Sequence, residues 1–436
     1  ARYGTDELWK LIDSLPKDEG NSFHLRKVTC KEVLSELETK NDCSYGPDSI
    51  PVKFLKMANE QLTPSLTHTL NNCIDNITFP SAWKTARISA IPKVKEIKSN
   101  SDLRPISILP VLSKEYERLV LRQMVNFLSF GPDGIFKESF GAYRKGHSPP
   151  LFFLHEGQYF TLNETGEVTM AILAYFSEEF DTVAYATVLK KMHKVGFCKS
   201  YLRWVTSYLT ERKQFVQIDD KLQGGFGVPQ GSILGPVIFN LYVNDLSDSL
   251  EASVTSHQYA DDTTIYAHNK PANINSEKTN YNMPWISFQL GQVGAILFDP
   301  DKTKVMLFST QQLARVHSLI NTHQPAYKCA KLERIKTTRL LGTEIDKNLK
   351  WNDDILSKIS KCYNTLAVIK KLKNLAPFHV RKRLAESLVL SLIDYKDIVP
   401  DTEIQRVQLA AASFVYNHYA DMSDALKPGW LPISYR

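Results

Sequence analysis

Nothing in the sequence narrows the fold more than EVTMAILAYF, Glu167–Phe176. It is a continuous apolar run of strand length, and a run without polar alternation marks a strand covered on both faces. Such a strand calls for a sheet with packed layers, and three later stretches supply strand patterns. QYADDTTIYA, Gln258–Ala267, reads as a hairpin with Ala260 to Asp262 at its turn, while TKVMLFS and RLLGTEID read as two further strands. Amphipathic helices are expected at about 184–195, 199–211 and 232–245.

On either side of this strand-and-helix core the pattern is helical. Before it, Leu62, Leu66, Leu70, Cys73, Ile74 and Ile77 share one helical face, as do Leu112, Tyr116, Leu119, Val120 and Phe127. Between those two helices ARISAIPK is a short strand ending in Pro92 and Lys93. After Trp351 three helices follow, through Leu356, Ile359, Leu366, Ile369 and Leu372, then Leu384 to Tyr395, then Ile404 to Tyr416. The fold class implied is α+β.

Composition excludes more than it identifies. At 436 residues, 43% hydrophobic and 23% charged, the chain has an ordinary globular make-up and room for two or three domains. A net charge of +6 does not by itself name a polyanionic partner. The six cysteines are scattered, with no CxxC and no His/Cys cluster. That argues against a zinc module or a disulfide framework and fits a reducing, intracellular setting, nuclear or cytoplasmic. No apolar run approaches the ~18 residues of a membrane span, and no membrane partner is expected. No signal peptide opens the chain. It starts at Ala1 in mid-flow and stops at WLPISYR, as a piece of a longer polypeptide would.

Two adjacent carboxylates, Asp261 and Asp262, sit at the turn of the expected hairpin. Asp is a common turn residue, and a solvated turn is the plain reading. The flanking Tyr259, Ile265 and Tyr266 make the turn an outcrop from a buried sheet, and carboxylates held that way suit a hard divalent cation such as magnesium. GVPQGSILGPVIFNLYVNDL, Gly227–Leu246, puts glycines at 227, 231 and 235 before an apolar helix. Those glycines serve tight strand-to-helix geometry or the close approach of a nucleotide or template base.

Taken in order, RPISILPVLSKEYERLVLRQM, FSEEFDTV, GVPQGSILGP, YADD, DPDKTKVMLF and LLGTEIDKNLKW resemble the reverse transcriptases of non-LTR, LINE-type retrotransposons, jockey-like elements above all. The resemblance extends to SYGPDSIPVKFLK near the start and LVLSLIDYKDIV near the end. It implies a right-hand polymerase fold with fingers at 1–165, palm at 166–347 and a helical thumb at 348–436. It also implies an RNA template, a DNA primer, deoxynucleoside triphosphates and Mg2+ as cofactor. In such enzymes the primer hydroxyl attacks the α-phosphate, and two magnesium ions stabilise the attacking and leaving oxygens. By position Asp261 is the main hairpin ligand and Asp262 its support. Phe180 matches the bulky residue that excludes a ribose 2′-hydroxyl, or it is a core aromatic. Lys93 and Arg104 match the fingers cations that grip the triphosphate, or they are surface charges. Gln230 and Gly231 match the loop under the nascent base pair. Lys302, or Lys304 in another alignment, matches the lysine that protonates departing pyrophosphate; a solvated turn lysine is the alternative.

One position departs from the pattern. Where such sequences read close to LDFSKAFDTV, this one reads LAYFSEEFDTV, so Tyr175 stands where the first metal-binding aspartate belongs. A phenol with a pKa near ~10 is a poor magnesium ligand. Glu178 and Glu179 fall beyond the strand end and are expected to point elsewhere. Ala184 and Tyr185 replace a usual Asp-His pair, Pro149 and Pro150 a Ser-Thr helix start, and FGAYR lacks the preceding glutamine. The expectation is weak or absent magnesium binding and an impaired polymerase. The alternative is a non-catalytic nucleic-acid-binding or structural protein derived from one. YADD, in place of GDD, argues against an RNA-templated RNA polymerase. From Lys358 to Arg383 there are eight cations (Lys358, Lys361, Lys370, Lys371, Lys373, Arg381, Lys382, Arg383) and no acid. Such a run is a solvated face or, as the resemblance implies, a surface tracking the phosphate backbone.

Overall fold

The computed structural model describes residues 4–18, 20–39, 45–93, 96–99, 102–130, 141, 166–176, 183–216, 222–224, 228–250, 254–260, 262–270, 298–309, 311–316, 326–327, 330–348, 352–394, 402–418, 421, 423 and 430. It mixes helices and sheets, as an α+β chain does, and divides into two compact units. The first comprises Ala1–Tyr143, Ala174–Thr263 and Met283–Lys302, the second Arg144–Leu173, Thr264–Asn282 and Thr303–Arg436. The division falls inside two strands, Val168–Tyr175 and Asp262–Asn269. Their ends at Ala174–Tyr175 and Asp262–Thr263 therefore belong to the first unit.

The first unit is built on an aromatic core. Helix Lys199–Leu209 is amphipathic: it buries Tyr201, Leu202, Trp204, Val205, Tyr208 and Leu209 and leaves Lys199, Ser200, Arg203 and Ser207 on the other face. Trp204 stacks between Tyr201 and Tyr208 at centroid distances of 5.8 and 6.0 Å. Its indole N–H donates to the Tyr116 hydroxyl at 3.0 Å, so a buried polar atom is satisfied without water. Tyr116 comes from helix Val111–Phe130, whose buried Tyr116, Leu119, Val120, Met124 and Leu128 keep helical spacing. A four-stranded sheet completes the unit, in the order Leu103–Ile108, Thr85–Pro92, Lys213–Val216, Leu222–Gly224.

Of the leucines that helix Asn59–Asp75 is expected to turn inward, Leu70 is buried, Leu66 half-buried and Leu62 exposed. Leu62 is 37% exposed, and the buried face runs through Thr63, Thr67 and Leu70. The two threonine hydroxyls donate to the carbonyls of Asn59 and Thr63, at 2.6 and 2.7 Å. Bonding to their own helix lets residues that read as polar face the interior.

In the second unit the apolar run is the expected buried strand. Val168, Thr169, Ala171, Ile172 and Leu173 are at most 3% exposed. The strand pairs antiparallel with Lys304–Phe308, in a register from Thr169 against Phe308 to Leu173 against Lys304, and Glu333–Arg334 runs parallel beyond. RLLGTEID is not one strand. Thr337–Leu340 and Thr343–Asp346 form an antiparallel hairpin, turning at Leu341 and Gly342 with φ of +46° and +83°. Two successive positive φ values define the tight hairpin turn, and leucine is an unusual residue for it, which masks the signal. Helices Asn352–Ile369, Phe378–Ala385 and Thr402–Tyr416 share a core with Cys362, Leu366, Val389, Val407 and Phe414 at its centre. Leu356, expected inward, is 62% exposed because its neighbour Ile355 takes the buried face.

Candidate active site

The strands that carry Tyr175 and Asp262 are neighbours in one sheet. Thr169, near the start of Val168–Tyr175, meets His268, near the end of Asp262–Asn269, with Oγ1 and Nδ1 2.9 Å apart. Start against end means the strands run antiparallel. Thr169 and His268 therefore mark one end of the pair, and Tyr175 and Asp262 lie at the other. Ala260, at φ +56°, makes the turn, and Asp262 already belongs to the outgoing strand. Asp261 and Phe180 lie outside the described residues, as do Glu178 and Glu179.

A further acid approaches from the stretch DPDKTKVMLF, in which the pattern marks only Lys302 and Lys304. The backbone N–H of Asp299 donates to the Tyr175 carbonyl at 2.9 Å, beside a bridge between Phe176 and Phe298 whose rings stack at 5.0 Å. The Asp299 carboxylate pairs with Lys302 at 3.1 Å and accepts the Asp301 N–H at 3.1 Å. Partial burial pushes this carboxyl up. The bonds from Lys302 and the Asp301 amide outweigh it and hold the group below the usual carboxylate range. Lys302 is thus placed by Asp299, its side chain still 62% exposed. Lys304 pairs instead with Glu333.

The glycine-rich loop is pinned from two sides. The Ser107 N–H donates to the Gln230 carbonyl at 2.7 Å, on the edge of strand Leu103–Ile108. Gly231 has φ +106°, and a Cβ there would stand 2.8 Å from the Ser107 carbonyl oxygen, so both conformation and space demand glycine. From the other side comes Glu117, 0% exposed. Its carboxylate accepts the N–H groups of Ile233 and Leu234 at 2.7 and 3.2 Å, the Tyr208 hydroxyl at 3.0 Å and the Ser113 hydroxyl at 3.2 Å. Those two amides open helix Gly235–Val243, where an anion is favoured. Burial first, then the Glu117 charge, push the Tyr208 phenol well up, so it stays a donor. Glu117 sits in the quoted stretch SKEYERL, but as one charged residue among several nothing marks it as buried.

Lys93 and Arg104 are exposed at one end of the same ladder, where Ile91 opposes Arg104 and Pro92 opposes Leu103. The eight C-terminal cations are not equivalent. Lys358 pairs with Asp354 at 2.7 Å, Lys382 lies 3.8 Å from Glu386, and Arg381 donates to the Lys373 carbonyl at 3.1 Å. Among the described residues no ion pair engages Lys361, Lys370, Lys371, Lys373 or Arg383.

Among the described residues, no three His, Cys, Asp or Glu side chains stand where they would share a metal ion. At the strand ends the described side chains are the Tyr175 phenol and the Asp262 carboxylate, while Asp261 lies outside the described residues. Magnesium asks for several oxygen ligands in near-octahedral array, and a phenol is a poor one.

Residues 91–345 match the sequence model of a family described as reverse transcriptase (RNA-dependent DNA polymerase). The chain is 30% identical over 265 residues to the RNA-directed DNA polymerase from mobile element jockey of Drosophila melanogaster, covering 57% of this chain and 28% of that protein. It is 25% identical over 404 residues to a probable RNA-directed DNA polymerase from transposon BS of the same fly, covering 85% of this chain and 41% of the relative. A third relative, from the fly's transposon X-element, is 30% identical over 246 residues, covering 54% of this chain and 27% of that protein. The chain thus spans about a quarter to two-fifths of the length of these curated relatives.

Proposed function

The chain belongs to the reverse transcriptase family, similar to the RNA-directed DNA polymerases of non-LTR retrotransposons, and on that premise we propose that it is a polymerase segment that holds nucleic acid and is impaired in chemistry. The right-hand arrangement, fingers at 1–165, palm at 166–347 and thumb at 348–436, goes with this reading, as do an RNA template, a DNA primer and deoxynucleotides. The observation that carries it is Tyr175 at the same strand end as Asp262. A phenol there is neutral at working pH and fills the space a metal needs. Magnesium binding is correspondingly weak.

The other residues keep assignable roles. The loop at Gln230 and Gly231, fixed by Ser107 and Glu117, supports the templated pair. Lys93 and Arg104 face the triphosphate, and Phe180 guards the 2′ position. Lys302, hydrogen-bonded to Asp299, is the proton source for pyrophosphate. The protein works inside the cell. Four cysteines in the described residues are free thiols, and no helix there is long and apolar enough to cross a membrane.

A second reading, a nucleic-acid-binding protein derived from a polymerase and without catalysis, is favoured by Lys361, Lys370, Lys371, Lys373 and Arg383, which no ion pair engages among the described residues. Single-turnover primer extension with Mg2+ separates the two. The protein, its Tyr175→Asp variant and the Tyr175→Asp/Asp261→Ala variant are run side by side. Background extension, restored extension and lost extension, in that order, support impairment by Tyr175. Equal rates for the first two proteins sink it and direct attention to Asp299, Glu178 and Glu179. No extension by any of the three, with duplex binding intact, leaves the second reading standing.

A further inference from the structure

On the first unit, away from the residues assigned so far, a cavity of about 330 Å3 is lined by Leu15, Pro16, Lys17, Ser22, Lys190, His193, Lys194 and Gly196. Its walls are the segment after helix Thr5–Ser14 and the last turns of helix Tyr185–Lys194. Both walls are fastened. The Phe23 N–H donates to the Gly196 carbonyl at 2.8 Å, and the Cys198 N–H returns to the Phe23 carbonyl at 3.2 Å. His193 Nε2 lies 3.1 Å from the Pro16 carbonyl. A carbonyl only accepts, so that nitrogen carries the proton. Lys199 Nζ donates to the Leu15 carbonyl at 2.7 Å. The opening is therefore set by the fold rather than by a loose loop.

The lining is one-sided in charge. Among the described residues no ion pair engages Lys17, Lys190 or Lys194, while the nearby acids are taken: Asp13 receives Arg203, and Asp18 accepts the Lys199 N–H at 3.1 Å. Glu19 lies outside the described residues. Lys190 and Lys194, one helical turn apart, repel each other, and Lys17 faces them from the other wall. Basic residues at a helix C-terminus complement its dipole, which accounts for Lys194. Lys191 in the same turn is held by Asp245 and the Tyr242 carbonyl. Neither account reaches Lys190 or Lys17.

We propose that this cavity is a phosphate-binding site, in which Lys17, Lys190 and Lys194 supply charge and Ser22 a hydroxyl to a phosphate group. Lysine serves such a group as a point charge with three donors, without the fixed geometry of arginine. The volume falls in the range of small-ligand sites and admits a phosphate with an attached sugar. The chemistry has two sources, a terminal phosphate on a nucleic acid and a free phosphate compound.

The test uses the chain as it stands. Inorganic phosphate and pyrophosphate are titrated by calorimetry, and a 5′-phosphorylated single-stranded RNA is compared with its 5′-hydroxyl counterpart by fluorescence anisotropy. In Lys190→Ala/Lys194→Ala the affinity for pyrophosphate is expected to fall at least ~10-fold. These lysines are exposed, and circular dichroism checks that the variant folds. If the 5′-phosphate tightens RNA binding and the variant abolishes that difference, the source is a nucleic-acid end. If phosphate or pyrophosphate binds but the two RNAs do not differ, the source is a free phosphate compound. The proposal is overturned if neither ligand binds, or if Lys31→Ala/Lys53→Ala, away from the cavity, lowers affinity equally. The Lys370→Ala/Lys371→Ala/Lys373→Ala variant is expected to keep the 5′-phosphate difference, which separates this site from the proposed thumb.

Discussion

Glu117 and Tyr175 belong to the same compact unit, and folding places opposite demands on the two positions. Glu117 is wholly buried, and four donors from two helices and the glycine-rich loop converge on its carboxylate. Take the acid away and each donor is stranded in the interior, where an unmade bond is expensive. Tyr175 ends a strand, half-buried, and the bond recorded at its backbone is to its carbonyl, which any residue supplies. An aspartate there would serve a metal, and without metal it would stand at the same strand end as the like-charged Asp262. The fold thus enforces the acid that shapes the loop, while it is chemistry that calls for an acid at position 175. A chain can keep the outline of a polymerase after its carboxylate set is broken.

The comparison breaks most visibly at Tyr175. Restoring the acid with Tyr175→Asp is expected to raise single-turnover extension by ~10²–10³-fold, about 3–4 kcal/mol of barrier. Its melting temperature without metal should move by no more than a few degrees. A large loss of stability in this variant would mean that the phenol is part of the core, and the contrast with Glu117 would fail.

The converse substitution comes next. Glu117→Ala is expected to cost about 3 kcal/mol of stability, read as a shift in the denaturant midpoint. Amide exchange at Ile233 and Leu234 should accelerate first, because their acceptor is gone. Glu117→Gln keeps one acceptor oxygen and should cost about half as much. If exchange in the loop is unchanged in both, Glu117 does not hold the loop.

A third expectation extends the contrast to cations. In the second unit Lys370, Lys371 and Lys373 are without ion pairs among the described residues, whereas Lys358 is taken up by Asp354. Replacing those three by alanine should flatten the slope of log affinity against log salt for a primer-template duplex by about 2–3 units. Lys358→Ala should leave the slope within about half a unit and lower stability instead. Equal slopes for the two variants would remove the distinction between structural and phosphate-facing cations.

How much of this is readable in sequence follows the same division. The buried strand at 168–175 announces itself, because a two-sided apolar run has no other economical home. The helices around Trp204 are legible for a different reason, the helical spacing of their apolar residues. The hairpin at Leu341 and Gly342 is not, since a leucine with positive φ depends on its surroundings, and neither is the inward threonine face of Asn59–Asp75, where hydroxyls bond to their own helix. At the site, the odd residue is legible because Tyr175 interrupts a motif. Asp299 beside Tyr175 and Glu117 under the loop are not, because each acts through a contact between residues more than a hundred positions apart in the chain. Spacing along a sequence says nothing about such pairs.

The smallest expected effect concerns a carboxylate that serves folding at the surface. Glu32 closes a capping box at the start of helix Cys30–Thr39: it accepts the Thr29 N–H at 2.9 Å, and its own N–H donates to the Thr29 hydroxyl at 3.3 Å. Arg26 grips it with both terminal nitrogens, at 2.6 and 3.1 Å. The Arg26 bond, opposed by slight burial and helped by Thr29, lowers its pKa to about 2. The folded value lies below the unfolded one near ~4.3, so the contribution is complete above about pH 5 and is lost as pH falls from there towards 2. Because the two side chains are 59% and 32% exposed, solvent screening limits the contribution to about 0.5–1 kcal/mol. Glu32→Gln keeps an acceptor for the Thr29 amide and gives up the charge. Its melting temperature should sit below that of the parent at pH 7, and the gap should narrow progressively below pH 4.5. A gap that stays constant down to pH 3 would assign the stabilisation to the shape of the cap rather than to the ion pair. Glu32 would then resemble Glu117 even less than its exposure suggests, since the buried acid is the one on whose carboxylate four donors converge.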